Sequence, residues 1–316
     1  SEFDVIKTYF EGLGFEDALD LSVGIGDDCA VLDVPEGQSL CFSMDTMVEG
    51  VHFPKGAPAD KLANRVLAAA TSDLAAMGAQ PSHFSMSLTL PAINTSWLSD
   101  FSRGLKAFIE RFRMPLLGGD TTRGPLAITV QVHGYLPKGS QLTRAHAQVG
   151  DVLAVSGSLG DAGAALELLE AGGAFRECEL FLLDRYYYPS PRIDQGIELR
   201  RLASACIDIS DGLLADARHI AQKSGVCVEI DLESLPISAA LNSYAGARSE
   251  QFAVSSGDDY ELLFTISEEN WSKLKLRDSI GMFTLIGRVT NGRGQLGLTR
   301  DGESVVMKSE GFKHFE

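Results

Sequence analysis

The sequence predicts an α+β protein of two domains, with an N-terminal mixed sheet carrying helices on one face and a C-terminal α+β domain. Three observations carry this expectation. Neighbouring segments alternate apolar and polar residues at the period of a half-buried strand. Apolar stripes at helical spacing fall between them. The chain has 316 residues, and single cores stop growing at roughly 250–300 residues. Adjacent alternating strands with intervening helices favour antiparallel or mixed sheets covered on one face.

In chain order, residues 38–43 read as a first strand. Leu62, Val66, Ala70, Leu74 and Met77 form a helical stripe that stops at Gly78, a residue suited to a helix C-terminus. Phe84, Met86, Leu88 and Leu90 alternate with Ser85, Ser87 and Thr89 as a second strand. Trp97, Phe101, Leu105, Phe108 and Phe112 form a second helix, which Pro115 ends. Leu126, Ile128, Val130 and Val132 alternate with Ala127, Thr129 and Gln131 as a third strand. The Gly- and polar-rich passage over 137–150 then reads as a boundary, giving domains over 1–137 and 138–316. In the second domain, strands are expected over 152–156, 226–230 and 260–266. Two helical stripes lie between them: Ala165, Leu168 and Leu169, closed by Gly172-Gly173, and Leu213, Leu214, Ala217 and Ile220, ending near Gly225.

Composition excludes several classes of function. With 43 Asp plus Glu against 27 Lys plus Arg, the formal net charge is -16 at pH 7, which argues against binding a polyphosphate backbone. No apolar run nears the ~20 residues that cross a bilayer, and no basic segment followed by an apolar stretch opens the chain. A cytoplasmic protein with neither nucleic-acid nor membrane partners is expected. The five cysteines, Cys29, Cys41, Cys178, Cys206 and Cys227, are odd in number, widely spaced and without a C-x-x-C pair. They are expected as reduced, buried thiols rather than disulfides or zinc ligands.

The informative acids sit beside glycine or serine at the ends of expected strands and the starts of helices. The runs are Gly24-Ile25-Gly26-Asp27-Asp28, Ser43-Met44-Asp45-Thr46, Thr71-Ser72-Asp73-Leu74, Gly118-Gly119-Asp120-Thr121-Thr122, Asp208-Ile209-Ser210-Asp211-Gly212 and Ser256-Gly257-Asp258-Asp259. Taken singly, each is ordinary turn or cap chemistry. Asp73 departs from that reading because it lies inside an apolar helical stripe, where a lone carboxylate is costly. Six such runs point to Mg²⁺, which takes one or two carboxylates, several waters and substrate phosphate oxygens. Gly118-Gly119 and the Ser156-Gly157-Ser158-Leu159-Gly160 loop are expected to offer backbone N–H groups to anions. Neither a G-x-x-x-x-G-K-[ST] loop nor the protein-kinase signature set is present.

Together these runs resemble the thiamine-monophosphate kinase family, within the ATP-binding superfamily typified by aminoimidazole ribonucleotide synthetase. The Val48-Glu49-Gly50-Val51-His52-Phe53, Asp259-Tyr260-Glu261-Leu262 and Gly311-Phe312-Lys313-His314-Phe315 stretches are the more particular features. Selenophosphate synthetases and hydrogenase-maturation dehydratases would be expected to carry an N-terminal or a C-terminal Cys; here the first is Cys29 and the sequence closes on Phe315-Glu316. The resemblance implies transfer of the γ-phosphoryl group of ATP to thiamine monophosphate, several Mg²⁺ ions, and a homodimer joined through N-terminal sheets. It also implies that Asp27, Asp45, Asp73, Asp120, Asp208 and Asp211 are metal ligands, with Ser43 and the backbone of Met44 assisting. Gly119, Asp120, Arg144 and Ser210 would then meet ATP, and His52, Glu261 and Phe312 thiamine monophosphate. Asp28, Asp258 and Asp259 are expected to support or cap. No protein base is assigned, because a phosphate acceptor is already anionic.

Overall fold

The computed structural model describes residues 2–14, 20–278 and 281–306. The chain divides into two compact units, Ser1–Leu74 with Ala79–Gly139, and Ala75–Gly78 with Ser140–Glu316.

The first unit opens with the short helix α1 (Glu2–Val5) and a ribbon of β1 (Leu21–Val23) antiparallel to β2 (Val31–Leu32). Its main sheet holds β3 (Gln38–Val48), β4 (Gln80–Leu90), β5 (Leu116–Arg123) and β6 (Ala127–Pro137), in the order β3-β6-β4-β5. All pairs are antiparallel except β4 with β5. The helices are α2 (Ala59–Ala76) and α3 (Thr95–Phe112). Strand alternation divides the sheet into two faces. Phe84, Leu88, Ile128, Val130 and Val132 are fully enclosed on one of them. On the other, Leu40, Phe42 and Met44 of β3 are exposed.

Helix α3 lies against α2 at backbone range. A Cβ added to Gly104 would stand 2.3 Å from the Asp60 carbonyl oxygen and 2.9 Å from the Ala63 Cβ. Asn94 caps the start of α3 by accepting the Trp97 N–H at 3.1 Å, and Arg113, in the left-handed region, ends it two residues before Pro115.

One glycine run expected to offer its N–H groups to anions lies within a strand. Gly118, Gly119 and Asp120 lie within β5, where Gly119 pairs with Met86. A Cβ at Gly119 would fall 1.7 Å from the Met86 carbonyl oxygen, so glycine here permits strand packing rather than a turn.

The second unit carries β7 (Val152–Ser156), α4 (Asp161–Ala171), α5 (Glu177–Tyr187), α6 (Ile193–Leu199), β8 (Ala203–Asp208), α7 (Leu213–Ser224) and β9 (Cys227–Asp231). Then follow α8 (Ala239–Ala245), α9 (Ser249–Ser255), β10 (Leu262–Ile266), α10 (Glu268–Arg277), β11 (Phe283–Thr290), β12 (Gln295–Arg300) and β13 (Glu303–Val305). The seven strands run in the order β13-β12-β9-β11-β7-β10-β8, with only β12 and β9 parallel. Strands β7 and β10 are buried along their whole length, which is why they read as continuous apolar runs. Leu153, Val155, Ile207, Leu213, Ile220, Val228 and Leu263 share one core. Gly172 and Gly225 terminate α4 and α7, as their places in the sequence predict.

The thiols depart from expectation. All five are free, but only Cys206 is buried; Cys29 is exposed and the other three are half-buried. Cys29 lies in the loop joining the two short ribbon strands, where no core forms over it.

Gly104→Ala tests the α2–α3 contact. Helix propensity alone would stabilise α3 by about 1 kcal/mol; the overlap with Asp60 is expected to outweigh that and lower stability by about 1–3 kcal/mol. A urea midpoint equal to or above wild type would show that the helices can separate without cost.

Candidate functional site

In the first unit, alternation along β3 puts Ser43 and Asp45 on the enclosed face of the sheet and Met44 on the other, where its side chain is 59% exposed. Met44 therefore offers this site nothing beyond its backbone. Asp73 projects from α2 and accepts a short hydrogen bond from the Ser43 hydroxyl. Burial, with the Asp73 charge adding to it, pushes the Asp45 carboxyl up to about 6. Ser43, Asp45 and Asp73 thus form one group of side-chain oxygens in which the two carboxylate charges oppose each other.

Asp27, Asp28, Gly119 and Asp120 line a separate cavity of about 900 Å³, together with Ser85, Gln131 and His133. Ser85 and Gln131 are register partners, and Gln131 also pairs with Met44, so these two lining residues stand on the sheet face opposite Asp45. Among the described residues, no group of three or more His, Cys, Asp or Glu side chains is arranged to hold a metal ion. His52 is half-buried in the turn after β3, where its Nδ1 accepts the Val48 N–H at 3.1 Å.

In the second unit, Asp208 ends β8 and is buried, with Ser210 and Asp211 in the turn leading to α7. That turn is held by Asp216, which sequence reasoning missed. Its Oδ2 accepts the Ser210 and Asp211 N–H groups at 3.1 Å each. Burial and then the Asp211 charge push the Asp216 carboxyl up to about 7. Its position in the first turn of α7 was the available signal, since acids there commonly cap the helix and its approach.

The two acidic runs of this unit lie side by side. The Asp258 N–H donates to the Ser210 carbonyl at 2.9 Å, and the Tyr260 N–H to the Ile209 carbonyl at 2.8 Å. A Cβ on Gly257 would stand 2.2 Å from the Ser210 oxygen. Asp258 and Tyr260 both adopt positive φ, at 69° and 50°.

Glu261 is 1% exposed and enclosed by cations. Arg192 donates from Nε to Oε2 at 2.6 Å and from Nη2 to Oε1 at 2.5 Å. Arg185 Nη2 donates to Oε1 at 2.8 Å, and the Ser156 hydroxyl to Oε2 at 2.5 Å. Burial alone would raise the Glu261 carboxyl, but Arg192, Arg185 and Ser156 together hold it below its usual value. Arg185 and Arg192 carried no sequence signal, because neither lies in an acidic run.

Three amides of the Ser156–Gly160 loop are bonded within the protein rather than offered to an anion. The Gly157 N–H donates to the Met282 carbonyl, the Leu159 N–H to the Pro236 carbonyl, and the Gly160 N–H to the buried Asp259 carboxyl. Burial raises Asp259 well above the usual carboxylate range. Arg144 is exposed, and its carbonyl accepts the Ser224 hydroxyl at 3.3 Å. Phe312, with the rest of the Gly311–Phe315 stretch, lies outside the described residues.

Comparison with known proteins agrees with this division. The family model for the AIR synthase related protein N-terminal domain matches residues 26–136, and that for the C-terminal domain matches residues 148–297. Thiamine-monophosphate kinase of Escherichia coli (strain K12) is 43% identical over 320 residues, covering 99% of this chain and 98% of its own length. The crystal structure of thiamine-monophosphate kinase from Stenotrophomonas maltophilia K279a matches with a TM-score of 0.84 at 40% identity, covering 92% of this chain and 93% of that one. The structure of AaThiL complexed with AMPPCP and TMP matches with a TM-score of 0.80 at 35% identity, covering 92% of each chain. With both domain models matched in order and relatives this similar over their full length, the chain belongs to the thiamine-monophosphate kinase family of AIR synthase related proteins.

Proposed function

We propose that this protein transfers the γ-phosphoryl group of ATP to thiamine monophosphate, giving thiamine diphosphate and ADP, as a cytoplasmic enzyme of thiamine diphosphate biosynthesis. The observation that carries the reading is the Ser43–Asp45–Asp73 group, set in a chain whose relatives are named for this activity. A carboxylate raised by burial and by a neighbouring carboxylate either takes up a proton or meets a cation. Small oxygen ligands of this kind fit Mg²⁺.

In this reading, Asp27, Asp45, Asp73, Asp120, Asp208 and Asp211 would hold several Mg²⁺ ions, with Ser43 and the Met44 backbone beside them. Bound there, Mg²⁺ would neutralise phosphate charge and orient the reacting oxygens. Gly119, Asp120, Arg144 and Ser210 would receive ATP, while His52, Glu261 and Phe312 would serve the thiamine monophosphate side. The portion over 1–137 would supply most metal ligands and the dimer contact, and 138–316 the remainder.

The chain's own part is positioning. Asp216 fixes the turn that carries Ser210 and Asp211, and the Ser43 hydroxyl orients Asp73. The acceptor phosphate needs no proton removed near neutral pH, so transfer is direct and in line, with no phosphorylated residue between. The exposed Leu40, Phe42 and Met44 on the outer face of β3 support a homodimer through this sheet. No described helix is long and apolar enough to cross a membrane.

Incubation with ATP and Mg²⁺ should yield thiamine diphosphate from thiamine monophosphate and none from thiamine. EDTA should stop turnover and added Mg²⁺ restore it. Lack of product from the monophosphate would overturn the reading.

Asp73→Asn should lower kcat/KM by roughly 100-fold or more, about 2.7 kcal/mol of transition-state stabilisation, with an unchanged circular dichroism spectrum. Near-normal turnover would make Asp73 a structural residue only.

Asp216→Ala should cost roughly tenfold in kcat/KM through the loosened turn, whereas Asp216→Asn, which keeps an acceptor oxygen, should cost less. Equal effects of the two variants on turnover would place the loss in charge rather than in hydrogen bonding.

A further inference from the structure

An ionised carboxylate has about four acceptor positions. Those of Glu261 meet four donors: Arg185 Nη2 and Arg192 Nη2 at Oε1, Arg192 Nε and the Ser156 hydroxyl at Oε2. A substrate can therefore gain a hydrogen bond from this carboxylate only by displacing a guanidinium or the serine. The guanidinium groups have capacity to spare. Arg192 spends its Nε–H and an Nη2–H on Glu261, out of the five donors a guanidinium carries. Arg185 uses Nη2 for Glu261 and, at 3.4 Å, for the Ser158 carbonyl, while its Nε stands 3.5 Å from Asp161 without a hydrogen bond.

Burial gives the cluster a direction. The carboxylates beneath are sealed, with Asp161 at 0%, Glu261 at 1% and Asp259 at 2% exposure, whereas both arginine side chains reach 15%. The members of the cluster that keep exposure are the cationic ones, and a guanidinium fork is the geometry that takes phosphate oxygens in pairs. It would repel a positively charged thiazolium ring.

We infer that Arg192, flanked by Arg185, contacts the phosphate of the phosphoryl acceptor, and that Glu261 is the positioning residue that aims it. This rests on the kinase reading above. Glu261 then serves the acceptor through the arginines rather than by touching it.

The test is steady-state kinetics on the full chain for wild type, R192Q, R192K, E261Q and the E261Q/R192Q double variant. Thiamine monophosphate and ATP are varied separately, with thiamine as a competitive inhibitor. Wild-type turnover comes first: if thiamine monophosphate gives no product, the kinase reading fails, whatever the arginines do. Given turnover, R192Q should raise KM for thiamine monophosphate about tenfold or more. Its kcat should change less than about threefold, and KM for ATP should stay put, because the lost bond is to the acceptor in both ground and transition states. The inhibition constant of thiamine, which lacks the phosphate, should not move. R192K should fall between wild type and R192Q, and the double variant should be no worse than R192Q, because both changes remove one interaction. An unchanged KM for thiamine monophosphate, a parallel rise in KM for ATP or in the thiamine inhibition constant, or independent addition of the E261Q and R192Q effects would each overturn the inference. If R192Q does not fold, R192K and E261Q carry the same split between the two substrates.

Discussion

Two carboxylates held together in a partly dry place oppose each other's charge, and the first unit is organised around that conflict. Two unit charges ~4 Å apart repel by about 4 kcal/mol at an effective dielectric of 20. Asp45 registers this directly, since burial and Asp73 act on it in the same sense. The rest of the unit keeps the pair from drifting apart. Strand β3 fixes which face Asp45 occupies, α2 fixes Asp73, and the Ser43 hydroxyl joins them. Helix α2 is in turn held against α3 at Gly104, at a distance no other residue allows. A stable scaffold thus maintains an electrostatically unfavourable arrangement.

In the second unit, close backbone approach does the corresponding work. Gly257 lets the run that follows it lie against Ser210, and Gly157 leaves room for the Glu261 carboxylate, which would stand 2.2 Å from an added Cβ. The positive φ of Asp258 and Tyr260 costs of order 1–3 kcal/mol for each residue. Hydrogen bonds to Ser210 and Ile209, together with the Tyr260 hydroxyl donating to Asp258, hold the conformation against that cost. Strain is accepted where two functional runs must lie in register.

The sequence was most legible where burial imposes a period. The α2 and α3 stripes, the alternation in β4 and β6 and the apolar run of β7 all emerge because one face or both must leave water. Strand β5 was illegible because Gly118, Gly119 and Asp120 interrupt any period; the reason for Gly119 lies in the backbone of Met86, some thirty residues earlier. The site was legible in part for a related reason. Asp73 stood out because a carboxylate in an apolar stripe needs a partner, and Ser43 supplies one bond. Arg185 and Arg192 act on Glu261 some seventy residues away, and no local pattern records such contacts, whereas Asp216 braces a turn only five and six residues before it. The amides of the 156–160 loop show the converse: a glycine-rich sequence resembles an anion cradle until its N–H groups are found bonded elsewhere.

A chain of net charge -16 that handles two phosphate-bearing substrates must confine its positive potential to short range. Screening makes this workable. At physiological ionic strength the Debye length is about 8 Å, so surface acids beyond that distance affect the approach of an anion more than its bound state. What matters in the site is the sign of the groups at contact. In the second unit the carboxylates are sealed while the side chains of Arg185 and Arg192 keep some exposure. In the first, the carboxylates face one another, and only an added cation would reverse the sign. Excess acid is thus placed in two ways: as opposed carboxylates at Asp45 and Asp73, and as the buried Glu261 anchor that holds two arginines.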